Sequence, residues 1–160
     1  MSRRAGALIL VALFLTACGF HLQGRTPLPA PLAVTYVEAQ NMQSDFVQGL
    51  RKALLSSGAR LADRKADASG TVRILTDEVT ERILSVSARN TPREFELTYT
   101  VRFSVVADGE ELLPVQEVSV TRDYSFDERA LLAKENEEAI LREAMARDLV
   151  GIVMRRLSSL

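Results

Sequence analysis

The chain has 160 residues, with 20 Lys and Arg against 21 Asp and Glu, 47% apolar residues, one Cys, one His and no Trp. That length suits about one domain, and the composition is that of a folded protein. A formal charge of −1 excludes a generally basic nucleic-acid binder, and one Cys with one His excludes a disulfide framework, a Cys-rich zinc site and a multi-histidine metal cluster.

The chain opens on Arg3 and Arg4, followed by an uncharged apolar run from Ala5 to Leu15. A basic start, a short apolar run and small residues at its end make a cleaved signal peptide over 1–17. The run is too short for a comfortable membrane span, which needs about 20 apolar residues. Leu15-Thr16-Ala17-Cys18 matches the bacterial lipobox, so Cys18 is the expected lipidation site, carrying diacylglycerol and an N-acyl chain. The competing reading of a lone Cys is a buried thiol. Each buried CH₂ contributes about 0.8 kcal/mol, so several acyl chains hold a protein on a membrane without a spanning helix. Gly19 follows Cys18 where an Asp would favour retention at the inner membrane, so the expected location is the outer membrane, on its periplasmic side.

Residues 24–33 hold three of the five prolines, and 18–33 reads as a lipidated N-terminus and extended tether. A single α+β domain is expected over 34–160. Val34–Val37 is a first strand, and Ser44 caps a helix whose Phe46, Val47, Leu50, Ala53, Leu54 and Leu55 recur at helical spacing until Gly58. Ala59–Ala62 is a candidate edge segment. Residues 71–88 read as a strand carrying Val72, Ile74, Val79, Ile83, Leu84 and Val86, with a bulge expected near Asp77 and Glu78 where the alternation changes phase.

From Glu94 to Ala107 every second residue is apolar, which is a long strand with one core face and one wet face. Asp108-Gly109 is a hairpin turn signal, and the return strand spans about 112–124, with Pro114 marking an edge or irregular start. A last helix over 128–157, opened by Ser125 or Asp127, carries a stripe of Leu131, Leu132, Ala139, Ile140, Met145, Leu149, Ile152, Val153 and Leu157. The expected architecture is a two-layer α+β sandwich. Two amphipathic helices cover one face of a mostly antiparallel sheet of about four strands. Glu96, Thr98, Thr100 and Arg102 would line the other face, which can be solvated or meet a partner.

Catalytic motifs are missing: the sequence has no GxSxG, P-loop, Rossmann glycines or EF-hand loop. His21 stands beside the anchor with no nucleophile near it in sequence. Glu135, Glu137, Glu138 and Asp148 are better read as a solvated helix face than as a carboxylate site. No catalytic residue, metal site or cofactor is expected, and the chain does not read as an enzyme. One region has a ligand logic. Arg82, Arg89 and Arg93 surround a turn before the long strand, and Lys134 lies early in the last helix. Such cations bind phosphate or carboxylate through charge-assisted hydrogen bonds; they are also what an ordinary surface carries in exposed ion pairs.

The segment Cys18-Gly19-Phe20-His21-Leu22-Gln23-Gly24, the Arg89-Asn90 turn before Phe95-Glu96-Leu97, the paired long strands, and Leu132-Ala133-Lys134-Glu135-Asn136-Glu137 together resemble the lipopolysaccharide (LPS)-assembly lipoprotein family, LptE/RlpB. The resemblance implies two helices on a sheet and an outer-membrane anchor. It implies a 1:1 partnership as a plug inside the LPS-translocon β-barrel protein LptD, help in assembling that barrel, and assistance in LPS insertion into the outer leaflet, without covalent chemistry. It also implies LPS contact through basic residues, here Arg89 and Lys134, with Arg93 beside them. Many relatives place a Gly after the Arg-Asn pair where this chain has Thr91-Pro92. The alternative is an accessory outer-membrane lipoprotein that braces another envelope complex without touching LPS.

Overall fold

A computed structural model describes residues 28–125 and 131–160, with side chains over 131–137 excepted. Cys18, the expected lipidation site, and the expected signal peptide over 1–17 lie outside the described residues. The elements are β1 (Val34–Ala39), α1 (Asp45–Ser56), β2 (Arg60–Leu61), β3 (Gly70–Val86), β4 (Pro92–Ala107), β5 (Glu110–Ser125) and α2 (Leu131–Ser158).

The sheet has five strands in the order β2-β1-β3-β4-β5, one more than expected. It is mixed rather than mostly antiparallel: β1 pairs parallel with both β2 and β3, while β3, β4 and β5 form an antiparallel meander. The parallel pairs arise because α1 carries the chain over from β1 to β2, and the 62–69 segment then returns it to the far side of β1. Arg60–Leu61 confirms the edge segment suspected in 59–62.

Local chemistry explains the boundaries. Ser44 is extended and its side chain accepts the Val47 N–H, capping α1. At the other end Gly58 takes φ +93°, and the Ala59 N–H reaches Leu54 O while the Gly58 N–H reaches Leu55 O. That is a Schellman stop, which favours glycine at the left-handed position. Asp108 and Gly109 both have positive φ (51° and 83°) and close a two-residue hairpin between β4 and β5. Within the segment expected as a tether, Ala30–Leu32 forms a 3-10 turn, and Leu32 is buried in the core.

The core lies between the sheet and both helices. Phe46, Val47, Leu50 and Leu54 of α1 meet Met145, Leu149, Val153 and Leu157 of α2 above Val72, Leu97, Val101, Phe103 and Val105 of the sheet. The buried stripe of α2 departs from the expected one. Ala146 and Val150 belong to it, whereas Ala139 and Ile140 are exposed. At 100° per residue Ile140 lies well around the helix from Met145, off the buried face. The far end of β3 also departs: Ile83, Leu84 and Val86 are exposed rather than core. Register shifts fall between Ile74 and Thr76 and between Ile83 and Ser85, so the first bulge is at Leu75, a little before the place expected.

Candidate functional site

The β3–β4 hairpin outruns β1 and β2, while β5 follows β4 as far as Glu94. β1 flanks β3 only from Thr35–Gly70 to Ala39–Ile74, while β3 and β4 stay paired to Val86–Pro92. Twelve residues of β3 therefore continue past its inner neighbour, about 40 Å of strand. The turn at the end is tightly tied. The Ser87 N–H donates to Thr91 O at 2.7 Å and the Asn90 N–H to Ser87 O at 2.9 Å. Ser87 Oγ accepts from the Arg89 and Thr91 N–H groups at 3.3 and 3.2 Å. Asn90 adopts φ +62°, a left-handed conformation its short polar side chain tolerates.

This turn holds Arg89 exposed at the tip. Arg93 is exposed on β4, where the register passes from Glu94 to Pro92 and leaves it without a cross-strand partner. Lys134 is in the first turn of α2. Two contacts fix the course of α2 along β5: Arg122 to Asp148 at 2.7 Å and Arg156 to Gln116 at 3.1 Å, so the two run antiparallel. From Asp148 back to Lys134 the helix climbs about 21 Å. From Leu97, the partner of Arg122, back to Arg89 the strand climbs about 26 Å. The backbone thus brings Arg89, Arg93 and Lys134 to one end of the fold.

Three cations along the long strands are occupied. Arg82 pairs with Glu96 at 2.9 Å, Arg102 with Glu117 at 3.7 Å, and Arg73 with Glu38 at 3.5 Å. Among the described residues Arg89 and Arg93 form no ion pair. The pairings put Glu78, Glu94, Glu96 and Asp123 on the sheet face away from the helices, interleaved there with Arg73, Arg82 and Arg102, so that face is charged with both signs. Thr98 and Thr121 hydrogen-bond across that face at 3.2 Å. Two of the helix carboxylates considered above are satisfied by arginine: Glu138 by Arg142 at 2.6 Å and Asp148 by Arg122.

Two buried tyrosines stiffen the root of the hairpin, and neither bond was foreseen from the sequence. Tyr99 donates to Asp77 at 2.7 Å, and Asp77 also accepts from Ser44 Oγ at the α1 cap. Tyr124 donates to Glu81 at 2.6 Å and stacks on Phe95 with ring centroids 5.2 Å apart. Burial, and then the bond to a carboxylate, pushes both phenols well above the ordinary tyrosine value. The available signal was phase. Asp77, Val79 and Glu81 alternate, so two carboxylates share the face of a core residue and need donors there. No group of metal-ligating side chains occurs among the described residues, and none of their helices is long and apolar enough to cross a membrane.

Residues 30–157 match the LptE family of lipopolysaccharide-assembly proteins. The chain belongs to the LptE family. It is 28% identical over 163 residues to the LPS-assembly lipoprotein LptE of Pectobacterium atrosepticum, covering 98% of this chain and 86% of that one. It is 27% identical over 150 residues to the protein of the same name from Yersinia pestis (strain Pestoides F), covering 92% and 72%. The solution structure of lipoprotein B from Nitrosomonas europaea superposes with a TM-score of 0.72 at 28% identity, covering 88% of this chain and 91% of that one. Rare lipoprotein B from Shewanella oneidensis shares the fold, with a TM-score of 0.68 at 24% identity over 79% and 94% of the two chains. The LptE family is one of non-enzymatic lipoproteins, which agrees with the missing catalytic motifs.

Proposed function

We propose that this chain is an outer-membrane lipoprotein, acylated at Cys18, that plugs the LPS-translocon β-barrel LptD, helps that barrel assemble, and assists LPS insertion into the outer leaflet. In this reading the chain binds LPS through Arg89 and Lys134, with Arg93 beside them. Family membership supports the assembly role. The observation that supports the binding site is that Arg89 and Arg93, at the end where α2 begins, form no ion pair among the described residues, while Arg73, Arg82 and Arg102 of the neighbouring strands are each held by a glutamate. LPS is rich in phosphate, and a phosphate accepts charge-assisted bonds from guanidinium and ammonium. A barrel lumen is polar, so the charged and threonine-lined outer face suits a plug.

The test is LPS binding by the Arg89→Asp, Lys134→Asp double variant. Exposed charges act through solvent, so the expected loss is about tenfold near 50 mM salt and smaller at high salt. Unchanged affinity would remove these residues from the site. Affinity purification from detergent-solubilised outer membrane tests the partner. A stoichiometric large β-barrel is the expected companion; a different companion would transfer support to the accessory-lipoprotein reading.

A further inference from the structure

The hairpin end has a second property, independent of its charge. Past Ile74 the outer edge of β3 has no neighbouring strand among the described residues. Free edges are usually blunted by charge, and a run of exposed apolar groups there is a liability unless it is used. Here Ile83 is 52% exposed, Leu84 42% and Val86 53%. Folding does not require them, because the core draws on Val72 and Ile74 of the same strand and leaves these three out. Leu84 is the residue skipped by the register shift between Ile83 and Ser85, so it stands outside the regular pairing. Arg89 and Arg93 follow within ten residues, exposed and unpaired among the described residues.

We infer that the end of the hairpin holds the acylated part of a phosphorylated lipid: Arg89 and Arg93 take a phosphate, and Ile83, Leu84 and Val86 lie along an acyl chain. This rests on the LPS reading above and says which part of that molecule the site meets. A purely saccharide ligand would be served by hydroxyl and amide groups, and three exposed aliphatic side chains would add nothing to its binding. On the sheet face below, Arg82 and Arg102 are already held by Glu96 and Glu117, so the arginines without an ion pair among the described residues of this hairpin stand at its tip. An amphiphile with charge and chain close together fits both halves of this surface at once.

The experiment is photo-crosslinking of the full chain in its own envelope. Benzoylphenylalanine replaces Leu84 in one strain, Ala88 in a second and Val115, exposed on another strand, in a third. Adducts are purified and their attachment site is mapped by mass spectrometry. The expected result is an LPS adduct at Leu84 joined through acyl carbon, an LPS adduct at Ala88, and none at Val115. The Ile83→Ser, Leu84→Ser, Val86→Ser variant should cut LPS capture at Ala88 about tenfold or more, since it removes most of the apolar area on offer. Capture at Ala88 with none at Leu84, or with attachment there only through sugar, overturns this inference and leaves the LPS reading standing. Undiminished capture by the triple-serine variant does the same. No LPS adduct at either position overturns both. A glycerophospholipid adduct at Leu84 in place of LPS would mean bilayer docking, and a protein adduct there in place of LPS would mean a protein contact; each overturns the inference.

Discussion

Asp77 ties α1, β3 and β4 through one side chain, and Asp77→Ala measures that tie. Tyr99 is 3% exposed, so its hydroxyl has no solvent to turn to once the carboxylate is gone. An orphaned buried hydroxyl costs about 1–3 kcal/mol. Ser44 keeps its capping bond from the Val47 N–H at 3.2 Å but loses its own acceptor, which adds about 0.5–1 kcal/mol. The expected total is about 3 kcal/mol, or about 10 °C in the midpoint for a fold of this size. Tyr99→Phe removes the group that needs the partner, and Asp77 retains Ser44, so its cost should be nearer 1 kcal/mol. Urea unfolding followed by circular dichroism, at unchanged m, gives all three values. The double variant should cost less than the sum of the singles by about 1 kcal/mol or more, because both remove the same bond. A loss under about 0.5 kcal/mol for Asp77→Ala, or strict additivity, would refute the reasoning.

The two phenols set an alkaline limit. Tyr99 and Tyr124 hold their protons more tightly folded than unfolded, so the stability they contribute is complete below the ordinary tyrosine value of 10.0 and declines as pH rises above it. Midpoints measured from about pH 8 upward should start to fall near pH 10, and the Tyr99→Phe, Tyr124→Phe variant should fall less steeply; an equal slope would show that other groups govern the decline. Gly70 admits no side chain, because a Cβ there would lie 2.5 Å from Pro31 O and 2.9 Å from Leu32 Cδ2. Backbone yields less readily than a side-chain tip, so Gly70→Ala should destabilise by about 2–3 kcal/mol, and a wild-type midpoint in thermal unfolding would disprove the close approach of the 3-10 turn to β3.

What could be read in the sequence follows from how local each signal is. The helix cap at Ser44, the stop at Gly58 and the Asp108-Gly109 hairpin are each decided within about five residues, and the structure has all three. The 94–107 alternation was legible for the same reason. The parallel pairing of β1 was not, since its register with β3 joins residues 35 apart and depends on where α1 packs. The exposed state of Ile83, Leu84 and Val86 was hidden likewise: each has the residue type of a core strand, and it is the end of β1 at Ala39 that leaves them without a flanking strand among the described residues. Arg89 and Arg93 could be singled out as cations near a turn. That they form no ion pair among the described residues, while Arg82 has Glu96, is a property of register.

The central strands run 17 and 16 residues, while β1 runs 6 and β2 only 2. A sheet built this way must leave one end of its long pair uncovered. Such an overhang would fray if nothing held it, because hairpins alone are marginal in water. Here β5 continues the pairing to Ser125, and the Phe95–Tyr124 stack with its bond to Glu81 pins the root. The strand therefore divides by role. Residues 70–81 contribute to the core and its polar ties, and substitutions there act on stability. Residues 83–93 carry the exposed apolar groups and the two arginines that form no ion pair among the described residues, on a braced platform, so substitutions of those side chains should alter what the chain binds while leaving the fold intact.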